Sequence, residues 1–136
     1  MKNFLIYFFI LLFLYFPSRS LYCSGNETQV DVLYFHATTR CHGCLTIEDY
    51  IKNTLNTQYM EKLADSSLIF KSIDFQQSEN EHFQDDYKFD VQTLILSKKI
   101  DGKEVMWKNL DKIWEYSSDY QKFRKYIIDE INAFIK

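Results

Sequence analysis

Val30-Asp31-Val32-Leu33-Tyr34-Phe35, a short loop over residues 36–40, and then Cys41-His42-Gly43-Cys44 running into Leu45-Thr46-Ile47-Glu48-Asp49-Tyr50-Ile51 form the stretch on which the fold turns. The first six residues are rich in β-branched and aromatic side chains, which predicts a buried strand. Beyond the loop, Leu45 or Ile47, Ile51 and Leu55 recur at helical spacing, while Glu48, Asp49 and Lys52 fill other faces. Residues 41–55 therefore predict a helix. Two cysteines separated by two residues stand where the strand has ended and the helix begins.

That placement gives the pair its chemistry. Cysteines spaced this way on a first helical turn can close a disulfide with little rearrangement. At a helix N-terminus, unpaired backbone N–H groups and the helix dipole favour an anion. A Cys41 thiolate there is stabilised, and its pKa falls below the free value of about 8.5. Arg40 is adjacent, and His42 can add positive charge or a hydrogen bond. Both are expected to tune Cys41, and Gly43 keeps the approach open. The favoured reading is thiol–disulfide exchange with a protein disulfide or dithiol partner, Cys41 attacking and Cys44 resolving. Two others stand beside it. Soft sulfur ligands suit Cu(I) or Zn(II), with Cys41, Cys44 and His36 (or His42) as the ligand set of a metal carrier. A disulfide that only pins the helix start would suit a non-catalytic interaction module.

Outward from the pair, residues 58–64 offer a second helical turn and residues 68–75 a second strand. Residues 79–87 read as a short helix with an acidic start, with His82 on its surface. Residues 92–96 read as a third strand. Asp101-Gly102 is a hairpin turn signal that returns residues 103–107 as a fourth strand. Asn109 is expected to cap a short helix reaching Tyr116. Ser118 with Gln121 reads as a capping box for a last helix. Its apolar stripe is Tyr120, Phe123, Ile127, Ile131 and Phe134. The order β-α-β-α-β-β-α predicts an α/β domain with a mixed four-stranded sheet and helices on both faces. Its first two strands are parallel and its last two form a hairpin.

Composition narrows the function classes. The chain has 136 residues, three Gly, one Pro and a formal charge of −3. That is enough for one domain. A pI near 5.6 argues against nucleic acid as a partner, because phosphate binding needs a concentrated positive face. Three cysteines are too few for a disulfide scaffold. A phosphate-cradling loop and a G-x-G-x-x-G are missing, so no nucleotide or flavin cofactor is expected. Leu45 follows Cys44, so C-x-x-C-H haem attachment is not expected either.

The chain starts differently. After Lys2, residues 4–16 are thirteen consecutive apolar or aromatic side chains. Pro17 then breaks the run, and Ser18-Arg19-Ser20 places small residues at the −3 and −1 positions before Leu21. This is the layout of a secretory signal peptide over residues 1–20, since a spanning helix needs about 20 apolar residues. Residues 21–29 read as a loose leader, and residues 30–136 as the domain. The protein is expected to be periplasmic or secreted, in a compartment where cysteine pairs cycle or lock, with no membrane attachment after cleavage. Cys23 is the odd cysteine. It reads as an unpaired leader residue, with a lipid anchor as the alternative.

The strand of residues 30–35, the cysteine pair opening a helix, and the approach from Tyr87 to Leu96 resemble the thioredoxin-like superfamily. Three stretches carry a narrower likeness: Phe35-His36 through Cys41-His42-Gly43-Cys44, then Ile47-Glu48-Asp49-Tyr50, and above all Asp101-Gly102-Lys103-Glu104-Val105-Met106-Trp107-Lys108-Asn109-Leu110-Asp111-Lys112-Ile113-Trp114-Glu115. They look like small exported bacterial proteins of the ArsF family, labelled as a nitrophenyl compound nitroreductase subunit. That resemblance implies a thioredoxin-like fold and an electron-transfer subunit working through Cys41 and Cys44. The sequence departs from thioredoxins at three places. Arg40 stands where they carry Trp. Leu33, Tyr34 and Phe35 occupy the stretch of their buried acid. Asp90-Val91-Gln92-Thr93 lacks their cis-proline, and Gln92 best matches its position. Gln92 is thereby a candidate for tuning the pair. Trp107 and Trp114 are expected to pack a helix onto a sheet edge.

Overall fold

The computed structural model describes residues 27–136. The expected signal peptide, most of the leader and Cys23 lie outside the described residues. Strands β1 (Thr28–His36), β2 (Leu68–Asp74), β3 (Thr93–Ile100) and β4 (Lys103–Asn109) form one sheet of order β2-β1-β3-β4. β1 and β2 run parallel, with Val30 opposite Leu68 and Phe35 opposite Ile73. β1–β3 and β3–β4 are antiparallel. Helices α1 (His42–Gln58), α2 (Met60–Ala64), α3 (His82–Tyr87) and α4 (Tyr120–Ile135) complete the fold, with a 3-10 turn at Asp111–Ile113. This is the thioredoxin-like arrangement: a parallel pair with β2 at the sheet edge, an antiparallel hairpin on the other side of β1, and the cysteine pair at the start of the helix after β1.

β1 is central because its residues bury on both sides. Val30, Val32 and Tyr34 join one core, and Leu33 and Phe35 join another. A strand alternates its side chains between faces, so one strand feeds two cores. On the first face, Ile47, Ile51 and Leu55 of α1 meet Phe123, Ile127, Ile131 and Phe134 of α4, all buried. Each such side chain contributes about 1.5–3 kcal/mol by leaving water. On the second face, α3 supplies Tyr87, which packs with Phe35, Phe75 and Phe89. Helices thus cover both faces, as the pattern predicted.

Asp101 and Gly102 turn the β3–β4 hairpin with φ of 51° and 76°. Two left-handed residues in a two-residue loop match the twist of the flanking strands, and glycine adopts that conformation without steric cost. A register shift between Lys98 and Lys99 puts a bulge in this hairpin.

The elements differ from expectation mostly at their ends. β3 begins at Thr93 and runs on to Ile100, beyond the apolar residues that announced it. α3 starts at His82, because turns stapled by Asn80 Nδ2 to the Asp74 carbonyl (2.9 Å) precede it. Asn109 ends β4 rather than capping a helix, and its side chain accepts from the Thr93 hydroxyl. The cap of α4 is Asp119, one residue after the expected Ser118. Its carboxylate accepts from the backbone N–H of Gln121 (3.1 Å) and Lys122 (3.2 Å). A carboxylate also complements the positive end of a helix, which a hydroxyl does less well. Glu48 does not fill an outer face of α1. It is buried, as the site explains.

Candidate functional site

Cys41 and Cys44 are joined by a disulfide, with Cα atoms 5.2 Å apart. Cys41 is the N-cap of α1, and its sulfur accepts from the Cys44 backbone N–H at 3.2 Å. The Cys44 sulfur in turn accepts from the Cys41 N–H at 3.3 Å. The two sulfurs thus take the places that a hydroxyl and a carboxylate hold in a capping box. The pair is also unequal. Cys41 is exposed, whereas Cys44 is 1% exposed. Only one sulfur is open to a macromolecular partner.

The loop before the pair is fixed by its neighbours. Thr38 donates from its N–H to Gln76 Oε1 (3.0 Å) and from its hydroxyl to Asp74 Oδ2 (2.7 Å). Arg40 turns its guanidinium to Glu48, and Lys52 reaches the other oxygen of that carboxylate at 2.7 Å. Burial pushes the Glu48 carboxyl up. Bonds from Lys52 and Arg40, with their charges, more than offset that and leave it below its ordinary value. Arg40 also lies over the Tyr34 ring, 5.9 Å from its centre. Its charge therefore sits one residue before Cys41 but is matched by a buried carboxylate. Tyr34, rising from β1 beneath the helix, donates its hydroxyl to the Cys44 carbonyl at 3.0 Å. Burial pushes this phenol up to about 12, against a lowering by Arg40.

Gln92 lies beside the disulfide, with Oε1 3.5 Å from Cys44 Sγ. No cis peptide bond occurs among the described residues, so Gln92 reaches the cysteines with an ordinary backbone. Trp114 does not do what its counterpart does. Trp107 packs edge-on to Tyr87 of α3 at the sheet edge, as expected of both. Trp114 instead leaves the sheet after the 3-10 turn. Its indole N–H donates to the Gln92 carbonyl at 2.9 Å. A Cβ placed on Gly43 would stand 3.9 Å from the Trp114 ring and 3.8 Å from the Cys41 sulfur. Both are ordinary contact distances, so the indole and the Cys41 sulfur lie on the same side of this turn. Exposed Leu45 and Val91 flank Cys44 and Gln92 in the chain.

Of the predicted residues, Cys41, Cys44 and Gln92 come together. Arg40 adjoins them and faces Glu48. His42 is exposed on the first turn of α1. The three-ligand set of Cys41, Cys44 and His36 is not assembled. Among the described residues no three His, Cys, Asp or Glu side chains gather to hold a metal ion. The His36 ring instead pairs Nδ1 with the Ala37 carbonyl at 2.9 Å. Tyr34, Glu48 and Trp114 are the site residues that pattern reading missed. Trp114 had a signal, since it lies in the segment that carried the narrower resemblance.

No protein-family model matches the chain, and no curated protein does, so the ArsF likeness rests on the residues quoted for it. Solved structures do match. Thioredoxin O2 from Arabidopsis thaliana in the oxidised state is 15% identical, covers 71% of this chain and 76% of its own, and has a TM-score of 0.42. Fasciola hepatica thioredoxin is 22% identical over 68% of this chain and 81% of its own, with a TM-score of 0.40. A structure described as a malarial protein is 20% identical over 60% of this chain and 80% of its own, also at 0.40. The thioredoxin-like assignment stands on the strand order and on where the cysteine pair sits. Among the described residues no helix is long and apolar enough to cross a membrane.

Proposed function

We propose that this protein exchanges thiols and disulfides with a protein partner through Cys41 and Cys44, outside the cytoplasm. One observation carries the reading: an exposed sulfur at a helix cap, held by a backbone N–H, bonded to a buried twin one turn on. Ionised, Cys41 keeps that N–H and gains from the helix dipole, which stabilises the thiolate over the thiol. The Cys41 thiolate attacks one sulfur of a partner disulfide, and the partner's other sulfur leaves as a thiolate and takes a proton from water. Cys44 then loses its proton and attacks Cys41 Sγ. The Cys41–Cys44 bond reforms, and the second partner sulfur leaves and is protonated. Two electrons pass from the cysteine pair to the partner, and the same steps run backwards oxidise a partner dithiol.

Trp114, Val91 and Leu45 supply exposed apolar surface around the pair, which suits a polypeptide rather than a small thiol. Export to a periplasm or beyond follows the amino-terminal layout. An electron-transfer role in a nitroreductase-type system follows the ArsF likeness.

The experiment is a trap. Cys44→Ser leaves the attacking sulfur without its resolver, so a mixed disulfide with the partner accumulates and dithiothreitol releases it. Cys41→Ser captures nothing. A Cys44→Ser protein that stays folded and captures no partner, while the reduced protein takes up stoichiometric copper or zinc, overturns exchange in favour of metal carriage.

A further inference from the structure

Gln92 stands where the thioredoxin resemblance puts a proline, and unlike proline it brings a polar side chain. Its Oε1 lies 3.5 Å from Cys44 Sγ, and its carbonyl is held by the Trp114 indole N–H at 2.9 Å. Cys44 is 1% exposed, so water has little access to its sulfur. In the disulfide, Cys44 Sγ has no hydrogen, and the approach of Oε1 is a contact without a bond. In the dithiol, Cys44 carries S–H, and the same oxygen becomes its acceptor. An interaction made in only one of two states shifts the balance toward that state. A buried thiol without an acceptor would leave its donor unsatisfied.

We infer that Gln92 is a positioning residue that favours the reduced pair, with Trp114 holding it against Cys44. The inference rests on the exchange reading above. The relevant equilibrium consumes the Cys41–Cys44 disulfide and two glutathione thiols and yields the dithiol and glutathione disulfide. Two electrons move from the glutathione sulfurs to the cysteine sulfurs, and the two thiol protons are conserved. For any such pair, stabilising the dithiol makes the disulfide the stronger oxidant.

The test equilibrates the wild type, Gln92→Leu and Trp114→Phe with glutathione buffers and counts free thiols by alkylation and mass. Leucine keeps the size of glutamine and removes the acceptor. It is expected to move the equilibrium constant about three- to tenfold toward the disulfide, the size of one ordinary hydrogen bond. That corresponds to a potential lower by about 15–30 mV. Trp114→Phe keeps a ring but releases the Gln92 carbonyl, and should shift the same way by a smaller factor. It also carries the test should Gln92→Leu fail to fold. Urea unfolding of both redox forms supplies the second measurement. Gln92→Leu should destabilise the reduced protein more than the oxidised one, by the same factor. A constant unchanged within twofold, a shift toward the thiols, or equal destabilisation of both forms overturns the inference. A folded wild type that never equilibrates with glutathione overturns the exchange reading, and this inference with it.

Discussion

The Tyr34 hydroxyl donates to the Cys44 carbonyl at 3.0 Å, tying the central strand to the helical turn that carries the disulfide. Tyr34→Phe removes that bond together with the hydroxyl's interaction with Arg40 and should cost about 1 kcal/mol in urea unfolding. The phenol's folded value is raised, to about 12, chiefly by burial. A raised value means that the folded state holds the proton more tightly. Its contribution is complete below the ordinary value near 10 and is lost as pH rises toward 12. The alkaline fall in stability over that window should therefore be shallower in Tyr34→Phe.

The acid side is governed by two buried carboxylates. Asp31 is 1% exposed and accepts from Lys99 (2.7 Å) and Lys71 (3.0 Å). Burial raises it, but the bonds from Lys99 and Lys71 prevail, and both Asp31 and Glu48 lie below their ordinary values. A lowered folded value gives stability that is present above the unfolded values near 4 and lost as pH falls through the folded ones. Acid unfolding should start below about pH 4. Asp31→Asn should lower stability at pH 7 by about 2 kcal/mol and weaken the pH dependence. Circular dichroism across an acid titration checks both.

Arg40 and Glu48 should act oppositely on Cys41. Glu48→Gln removes the carboxylate that matches the Arg40 charge, so the Cys41 thiolate gains and its ionisation midpoint falls. Arg40→Met removes the cation and raises it. Two unit charges across hydrated surface interact by less than about 1 kcal/mol, which sets each shift at a few tenths of a unit. The pH profile of iodoacetamide alkylation in reduced Cys44→Ser reads it, and raised salt should shrink it.

Trp114 adjoins the disulfide and Trp107 does not, so reduction should change the emission of Trp114 alone. A nearby disulfide quenches indole fluorescence. The wild type and Trp107→Phe should both brighten on reduction, and Trp114→Phe should not.

How much of this was legible before the fold was known depended on range. The Val30 strand, the helix carrying Ile47, Ile51 and Leu55, and the Asp101-Gly102 turn announce themselves, because each is fixed by residues a few positions apart. Cys41 and Cys44 belong with them. Glu48 hid in the charged part of the helical pattern, since its burial depends on Arg40 and Lys52 converging on it. Thr93 to Ile100 outran its apolar signal because Ser97 and the lysines after it keep pairing with β1 and β4. Trp114 could not be told from Trp107 by composition. Its place follows from the hairpin and the 3-10 turn, which bring it back to the helix start.

The ring formed by Cys41 and Cys44 spans four residues and closes within one coil of the backbone. Gln92, 48 positions further on, reaches it only through the assembled sheet. Closing the bond therefore asks for one turn of backbone, whereas the contact with Gln92 asks for the whole sheet. Local sequence is thus enough to join the two sulfurs, while their surroundings belong to the finished tertiary structure.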